Sequence, residues 1–321
     1  MDSQQSLDAI IIWRSNPHQI METSWLRFLM SGLETKDIIG EKIPDHDKTE
    51  KVIVVTHGGK RGNHVKLSSF LEELNRNNFK IILFHLGDEF ANEDISFYKY
   101  CRIVFRNYFR PEIDNSKIIF FPLGYKSNFL EGMESKNWND RQYRWSFAGQ
   151  KGKRWEMINA AQAMGNGKLV ITEKFNDPGG LNTNDYAQLL CNTKVVLCPK
   201  GASLETFRLY EALEAGAIPL VEDEGGLGIL RENLSIRGIS KLLNQRIPFV
   251  KKTLIKALKV ESYWLSAFSS NFPCPRIFEW DNLPEVLARI PLRRKSELTQ
   301  NWWRNHKKKL VNKVTQCIHN T

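Results

Sequence analysis

The sequence predicts an α/β chain with two parallel-sheet cores. Its 321 residues exceed the usual size of one hydrophobic core, and a hydrophobic content of 41% is enough to fill two. Short apolar runs rich in β-branched residues alternate with helical pattern through the first half. Residues 191–223, CNTKVVLCPKGASLETFRLYEALEAGAIPLVED, then compress a strand, a glycine turn, a helix and a second strand into one unit.

Taken in order, strands are expected at Ala9-Ile10-Ile11-Ile12-Trp13, Val52-Ile53-Val54-Val55-Thr56, Lys80-Ile81-Ile82-Leu83-Phe84, Ile103-Val104-Phe105 and Ile118-Ile119-Phe120-Phe121. An amphipathic helix, about Lys66 to Asn75, lies between the second and third. The turn His57-Gly58-Gly59-Lys60-Arg61-Gly62 resembles a phosphate loop but lacks both Gly-Lys-Ser/Thr and Gly-x-Gly-x-x-Gly spacing, so a plain βα turn is an equal reading. Residues 130–144, LEGMESKNWNDRQYR, are polar and separate the two strand series. The boundary is placed there, giving a first domain 1–140, a second domain 141–292 and a basic C-terminal helix 293–321.

In the second domain, Lys194-Val195-Val196-Leu197-Cys198 reads as a buried strand ended by Pro199 and Gly201. A helix is expected from near Ser203, with Ser203 and Thr206 placed to cap it and Leu209, Ala212, Leu213 and Gly216 along one buried face. Ala217-Ile218-Pro219-Leu220-Val221 is the next strand. Open α/β sheets bind ligands at the carboxyl ends of their strands, and this unit carries Lys200, Gly201, Glu205, Thr206 and Arg208 there. A helix N-terminus beside two cations suits a nucleotide diphosphate. Glu211 lies off the buried stripe and faces either a cleft or solvent, pairing with Arg208 in the second case.

The turn and helix resemble a known site. Cys-Pro-x-Gly followed by Glu-Thr-x-Arg-x-Tyr-Glu-Ala-Leu-x-Ala-Gly-x-Ile-Pro is similar to the nucleotide-sugar site of the exostosin-like glycosyltransferases, family 47. Trp145-Ser146-Phe147-Ala148-Gly149, followed by Arg154, resembles the strand end and arginine that open that family's donor domain. Leu83-Phe84-His85-Leu86-Gly87-Asp88-Glu89 and Val104-Phe105-Arg106-Asn107-Tyr108 resemble acceptor-domain segments of its ribitol xylosyltransferase branch and bacterial relatives. The resemblance implies a GT-B architecture, two Rossmann-like domains facing a central cleft. It implies an inverting transferase moving a sugar from a UDP-sugar to a glycan or lipid-linked saccharide acceptor. It also implies that Gly149 lets backbone approach the donor, that Arg154 and Arg208 bind the diphosphate, and that Glu211 accepts hydrogen bonds from the ribose. The uridine base rests on the resemblance alone.

Such a transfer needs a base for the acceptor hydroxyl and positive charge for the departing diphosphate. Asp88 and Glu89, just past the strand Ile81 to His85, are the expected catalytic carboxylates, one of them acting as base. Capping the next helix is the alternative for this pair, and His85 is a third candidate base. His57, Gly58 and His85 are expected on the acceptor side. No cofactor is expected beyond the UDP-sugar co-substrate, and no metal. Asp45-His46-Asp47 lies in a polar loop before a strand, and Glu222-Asp223-Glu224 would repel a diphosphate without a cation, although a required metal would bind at that second run.

Met1-Asp2-Ser3-Gln4-Gln5 lacks the basic start of a signal peptide, and the longest apolar runs fall well short of the roughly 18 residues that span a bilayer. Five cysteines form no Cys-x-x-Cys pair; Cys101, Cys191 and Cys198 read as ordinary buried thiols, and a cytoplasmic setting follows. Of the net charge of +10, +7 falls between Arg293 and Lys313. There Trp302 and Trp303 among cations suit an anionic membrane surface, which would make the protein peripheral. In the other reading the helix crosses back to the first domain with its tryptophans packed and its lysines solvated. No nucleic-acid partner is expected, since no helix-turn-helix, zinc-finger or RNA-binding signature is present. A non-catalytic polyanion- or glycan-binding α/β protein is the alternative to the enzyme.

Overall fold

The computed structural model describes residues 7–46, 49–57, 63–90, 92–110, 113, 116–134, 136–175, 177–223 and 262–321. The chain divides into two compact units, one of Met1–Ser127 with Asn305–Thr321 and one of Asn128–Arg304. The division falls at Ser127 rather than at the expected 140, because the polar stretch beyond it docks on the second unit. The Gly132 carbonyl accepts a hydrogen bond from Gln188 Nε2 at 2.9 Å.

In the first unit, β1 (Ala9–Trp13), β2 (Thr35–Ile39), β3 (Lys51–His57), β4 (Lys80–Leu86), β5 (Ile103–Arg106) and β6 (Ile118–Phe120) form one sheet in the order β2-β1-β3-β4-β5-β6. Every pairing is parallel. Parallel strands need crossovers that cover both faces, which is why β1 and β4 are nearly unbroken apolar runs. Helix α1 (Thr23–Leu29) follows β1, and α2 (Asn63–Arg76) joins β3 to β4. Leu67, Phe70, Leu71 and Leu74 of α2 recur at i, i+3, i+4 and i+7 and pack with Val52, Val54, Ile81 and Leu83. Each such buried side chain stabilises the unit by about 1.5–3 kcal/mol. β2 carries only a short apolar signal, Ile38-Ile39; its sequence TKDII is half exposed, as an edge strand allows.

In the second unit, β7 (Tyr143–Gln150), α3 (Trp155–Gln162), β8 (Gly167–Thr172), α4 (Thr183–Cys191), β9 (Thr193–Cys198), α5 (Phe207–Glu214), β10 (Ile218–Glu222), α6 (Tyr263–Phe268), β11 (Arg276–Ile277) and α7 (Leu283–Arg289) follow in order. The sheet runs β11-β10-β9-β7-β8 and is again parallel throughout. Trp145, Phe147, Val195, Leu197, Ile218 and Leu220 face Met157 and Ile158 of α3 and Leu283 of α7 in its core. The expected strand–turn–helix–strand is β9–α5–β10. Helix α5 starts at Phe207, not near Ser203. Ser203 Oγ accepts the Glu205 N–H at 3.1 Å inside the turn, and Thr206 takes the N-cap position without a side-chain cap bond.

Both sheets are therefore Rossmann-like, the two-unit composition that a GT-B chain requires. In each, the second strand lies on one side of the first and the rest on the other, so the strand order reverses between β1 and β3 and between β7 and β9.

Helix α8 (Leu292–His319) gives residues to both units. Within the second, Trp303 lies 5.4 Å from the Tyr210 ring and donates to Glu214 Oε1 at 2.8 Å, while Trp302 meets Phe268 and Phe272 edge-on. Within the first, Leu310, Val314 and Ile318 are buried. Lys51 Nζ donates to the Ile318 and His319 carbonyls at 2.9 Å, placing a cation on the helix C-terminus. Both tryptophans named as membrane anchors thus pack against protein, and Arg304, Lys308, Lys309 and Lys313 stay exposed. Among the described residues no helix is long and apolar enough to cross a membrane.

Candidate active site

In the second unit, the residues expected to bind a donor gather at the carboxyl edge of the sheet, where β7 ends beside β9 and the strand order reverses. β7 supplies Phe147, Ala148 and Gly149; Arg154 precedes α3; the turn after β9 supplies Lys200 and Gly201; the start of α5 supplies Thr206 and Arg208. The Arg208 guanidinium lies 4.5 Å from the Phe147 ring centroid and that of Arg154 lies 6.0 Å from the same centroid. Two cations therefore converge on one aromatic ring. Arg208 Nη2 donates to the Ala148 carbonyl at 2.9 Å. Arg154 donates to the Gln150 carbonyl through Nη1 at 2.7 Å and to the Lys200 carbonyl through Nε at 3.1 Å. Neither arginine forms an ion pair among the described residues. Burial, reinforced by the charge on Arg208, pulls the Arg154 pKa down to about 10, which still leaves it a cation at neutral pH.

Two buried polar atoms here have no hydrogen-bond partner, Thr206 Oγ1 and Arg208 Nε. Buried polar atoms are ordinarily satisfied, so these two orphans beside converging cations lack the partner that such atoms usually have. Gly149 has φ +152°, and a Cβ there would stand 2.4 Å from Arg208 Nη2. Its missing side chain is thus space for the guanidinium, a reason additional to backbone approach by a donor. The Gly201 N–H donates to the Ser203 carbonyl at 2.9 Å, and the Lys200 N–H to Glu222 Oε2 at 3.1 Å.

Four carboxylates around this edge are engaged by protein groups. Glu205 is buried and receives the hydroxyls of Tyr210 and Tyr263, so it holds the turn together. Glu211 is buried as well and accepts the Tyr186 hydroxyl at 3.0 Å, which excludes the solvated reading. Glu222 also accepts Trp280 Nε1 at 2.9 Å, and Asp223 binds Ser262 Oγ at 2.6 Å and Arg276 Nη1 at 3.1 Å. Glu224 and Asp47 lie outside the described residues. Among the described residues no three His, Cys, Asp or Glu side chains are grouped to hold a metal ion.

In the first unit, the carboxyl ends of β3 and β4 carry the acceptor-side candidates. Asp88 is 2% exposed, and its Oδ2 receives Arg106 Nη2 at 2.7 Å and Arg110 Nη1 at 3.2 Å. Its Oδ1 receives the N–H groups of Asn92 and Glu93. Burial alone would raise its pKa, but the Arg106 bond and charge outweigh it and hold the carboxyl below its ordinary value. That environment suits an internal counter-ion, not a base. His85 is shut inside the unit between Tyr98 Oη at 2.6 Å and Glu93 Oε2 at 2.9 Å, and burial lowers its pKa, so it does not reach an acceptor.

Glu89 is half-buried, with the Tyr108 hydroxyl 3.5 Å from Oε1. Burial, helped by the charge on Glu22, raises its pKa. His57 ends β3 and stands 3.2 Å from Glu22, Nε2 to Oε2. Burial would lower the His57 pKa, but Glu22, then Glu93 and Glu89, carry it above the ordinary value. Gly58 lies outside the described residues. Glu22, Tyr108 and Tyr186 are absent from the sequence-based candidates. Glu22 precedes its partner by 35 residues and Tyr186 precedes Glu211 by 25, distances that no motif spans.

Comparison with known proteins adds family information. A family model described as the RXYLT1 C-terminal domain matches residues 130–321. Mouse ribitol-5-phosphate xylosyltransferase 1 is 28% identical over 155 residues, 43% of this chain and 35% of that protein. The human protein of the same name is 30% identical over 135 residues, 39% of this chain and 30% of that one. The chain therefore spans about a third of the length of these curated relatives. Among solved structures, Acinetobacter baumannii MurG aligns over 97% of this chain and 94% of its own, with a TM-score of 0.38 and 8% identity.

Proposed function

The chain belongs to the family described as the RXYLT1 C-terminal domain, and from that premise we propose that it is a glycosyltransferase. The proposed reaction moves a sugar from a UDP-sugar to a hydroxyl of a glycan or lipid-linked saccharide, with inversion at the anomeric carbon and no metal ion. The observation that supports it most is the pair of guanidiniums, Arg154 and Arg208, over one ring beside the orphaned Thr206 Oγ1. As the anomeric bond breaks, negative charge gathers on the diphosphate. Two preorganised cations next to the first turn of α5 stabilise that charge where it develops. Lys200, in the turn after β9, is proposed to add a third positive charge at this edge, in place of the charge that a divalent ion would otherwise bring. Glu211, oriented by Tyr186, is the proposed partner of the ribose hydroxyls.

The proton of the attacking hydroxyl is assigned to the cluster that Glu89 shares with His57, since Asp88 is neutralised by two arginines and His85 is enclosed. The relatives' names pair xylose with ribitol 5-phosphate, so UDP-xylose and ribitol 5-phosphate form the first donor–acceptor pair to try. UDP release from UDP-xylose, UDP-glucose, UDP-galactose and UDP-N-acetylglucosamine, with and without that acceptor and with and without EDTA, tests the reading. Acceptor-stimulated release from one donor, insensitive to EDTA and abolished in Arg154→Ala, is expected. No release from any donor together with no binding of UDP would turn the assignment toward a non-catalytic polyanion- or glycan-binding protein.

A further inference from the structure

We infer that Glu22 is a positioning residue that holds the His57 imidazole so that His57 Nδ1 takes the proton from the attacking hydroxyl. The inference rests on the glycosyl-transfer reading above and resolves which atom of the Glu89–His57 cluster receives that proton. Glu22 lies in the connection between β1 and α1, and His57 is the last residue of β3. The two meet where the strand order of the first sheet reverses, the place where such sheets bind ligands.

Glu22 is 3% exposed, and its Oε2 stands 3.2 Å from His57 Nε2. An ionised carboxylate only accepts hydrogen bonds, so Nε2 carries the hydrogen and the lone pair is left on Nδ1. Nδ1 has no hydrogen-bond partner among the described residues, and 39% of the His57 side chain is exposed. Gly87, at φ +86°, lies against the ring; a Cβ there would stand 3.2 Å from His57 Cδ2. A carboxylate on one nitrogen and a reachable lone pair on the other is the arrangement by which an imidazole acts as a general base.

The charges around the ring suit the role. Glu22 faces it from the β1–α1 connection, and Glu89 and Glu93 face it from the segment after β4. All three stabilise the imidazolium that forms, while burial opposes it. In the step itself the hydroxyl proton passes to Nδ1 and the acceptor oxygen bonds to the anomeric carbon. The anomeric C–O bond breaks with its electron pair leaving on the diphosphate, and the imidazolium later returns its proton to solvent.

Glu22→Gln keeps an acceptor oxygen and removes the charge, whereas Glu22→Asp keeps the charge. The full chain labelled with 15N-histidine, with the His57 signal identified by its loss in His57→Gln, should show a His57 midpoint above the ordinary value of about 6.5. That midpoint should fall in Glu22→Gln and recover in Glu22→Asp. UDP release should slow by about 10²–10⁴-fold in His57→Gln and by about 10²-fold in Glu22→Gln, and the double variant should be no slower than His57→Gln. The acid limb of the pH profile should move to lower pH in Glu22→Gln, and UDP should bind all variants equally. A wild type that does not bind UDP fails the glycosyl-transfer reading and takes this inference with it. UDP binding with wild-type turnover in His57→Gln, or a His57 midpoint unmoved in Glu22→Gln, overturns the inference alone. So does a wild type that binds UDP yet releases none from the four donors.

Discussion

Asp88 and Glu89 are adjacent in sequence and opposite in chemistry, because their side chains meet different groups. Asp88 → Asn would leave Arg106 buried without its counter-ion, at a cost of about 3–5 kcal/mol; equilibrium urea denaturation measures it. The folded pKa of Asp88 is depressed, so its stabilisation is present above the unfolded value near 3.9 and is lost as pH falls through the folded value. The wild type should lose this increment on acidification below about pH 4, and Asp88→Asn should not. Gly149→Ala should push Arg208 Nη2 from its place and weaken UDP binding by about 1.5–3 kcal/mol, the worth of one charged hydrogen bond. Calorimetric titration would reveal unchanged affinity if the glycine served only the turn. Residue types at both sites were legible in the chain, but their pairings were not. Asp88 meets arginines 18 and 22 residues further on, partners that only the β4–β5 register brings together.

At the scale of elements, legibility followed apolar pattern. The spacing of Leu67, Phe70, Leu71 and Leu74 announces α2, and the runs that become β1, β3 and β4 are long enough to read unaided. β2 escapes because an edge strand needs only one neighbour and little burial. The start of α5 is misplaced by the sequence because Ser203 caps an N–H inside the preceding turn, a bond indistinguishable by spacing from a helix cap. For α8 the sequence left two readings, and the packed tryptophans separate them. Trp303→Ala should cost about 3–5 kcal/mol of stability and leave binding to anionic vesicles unchanged, since the ring is inside the second unit. Lost vesicle binding with unaltered thermal stability would contradict that packing.

For the whole molecule, two parallel sheets of the same strand logic each place charged residues at the point where their strand order reverses. The α/β class was legible from composition and pattern, and the residues that gather at the carboxyl edge of the second sheet from the motif around Arg208. The pairing of Glu22 with His57 was not, because it depends on β1 and β3 lying side by side. A ligand that binds only the folded chain raises its stability, by about 2.7 kcal/mol at 100 times the dissociation constant. The central claim, a diphosphate held by Arg154 and Arg208, is tested most directly by isothermal titration of UDP into the wild type and Arg208→Ala. Saturable binding by the wild type, weakened by about 2–4 kcal/mol or roughly 30- to 1,000-fold in the variant, is the expected result. Equal affinity in the two proteins, or no binding by the wild type, would contradict it.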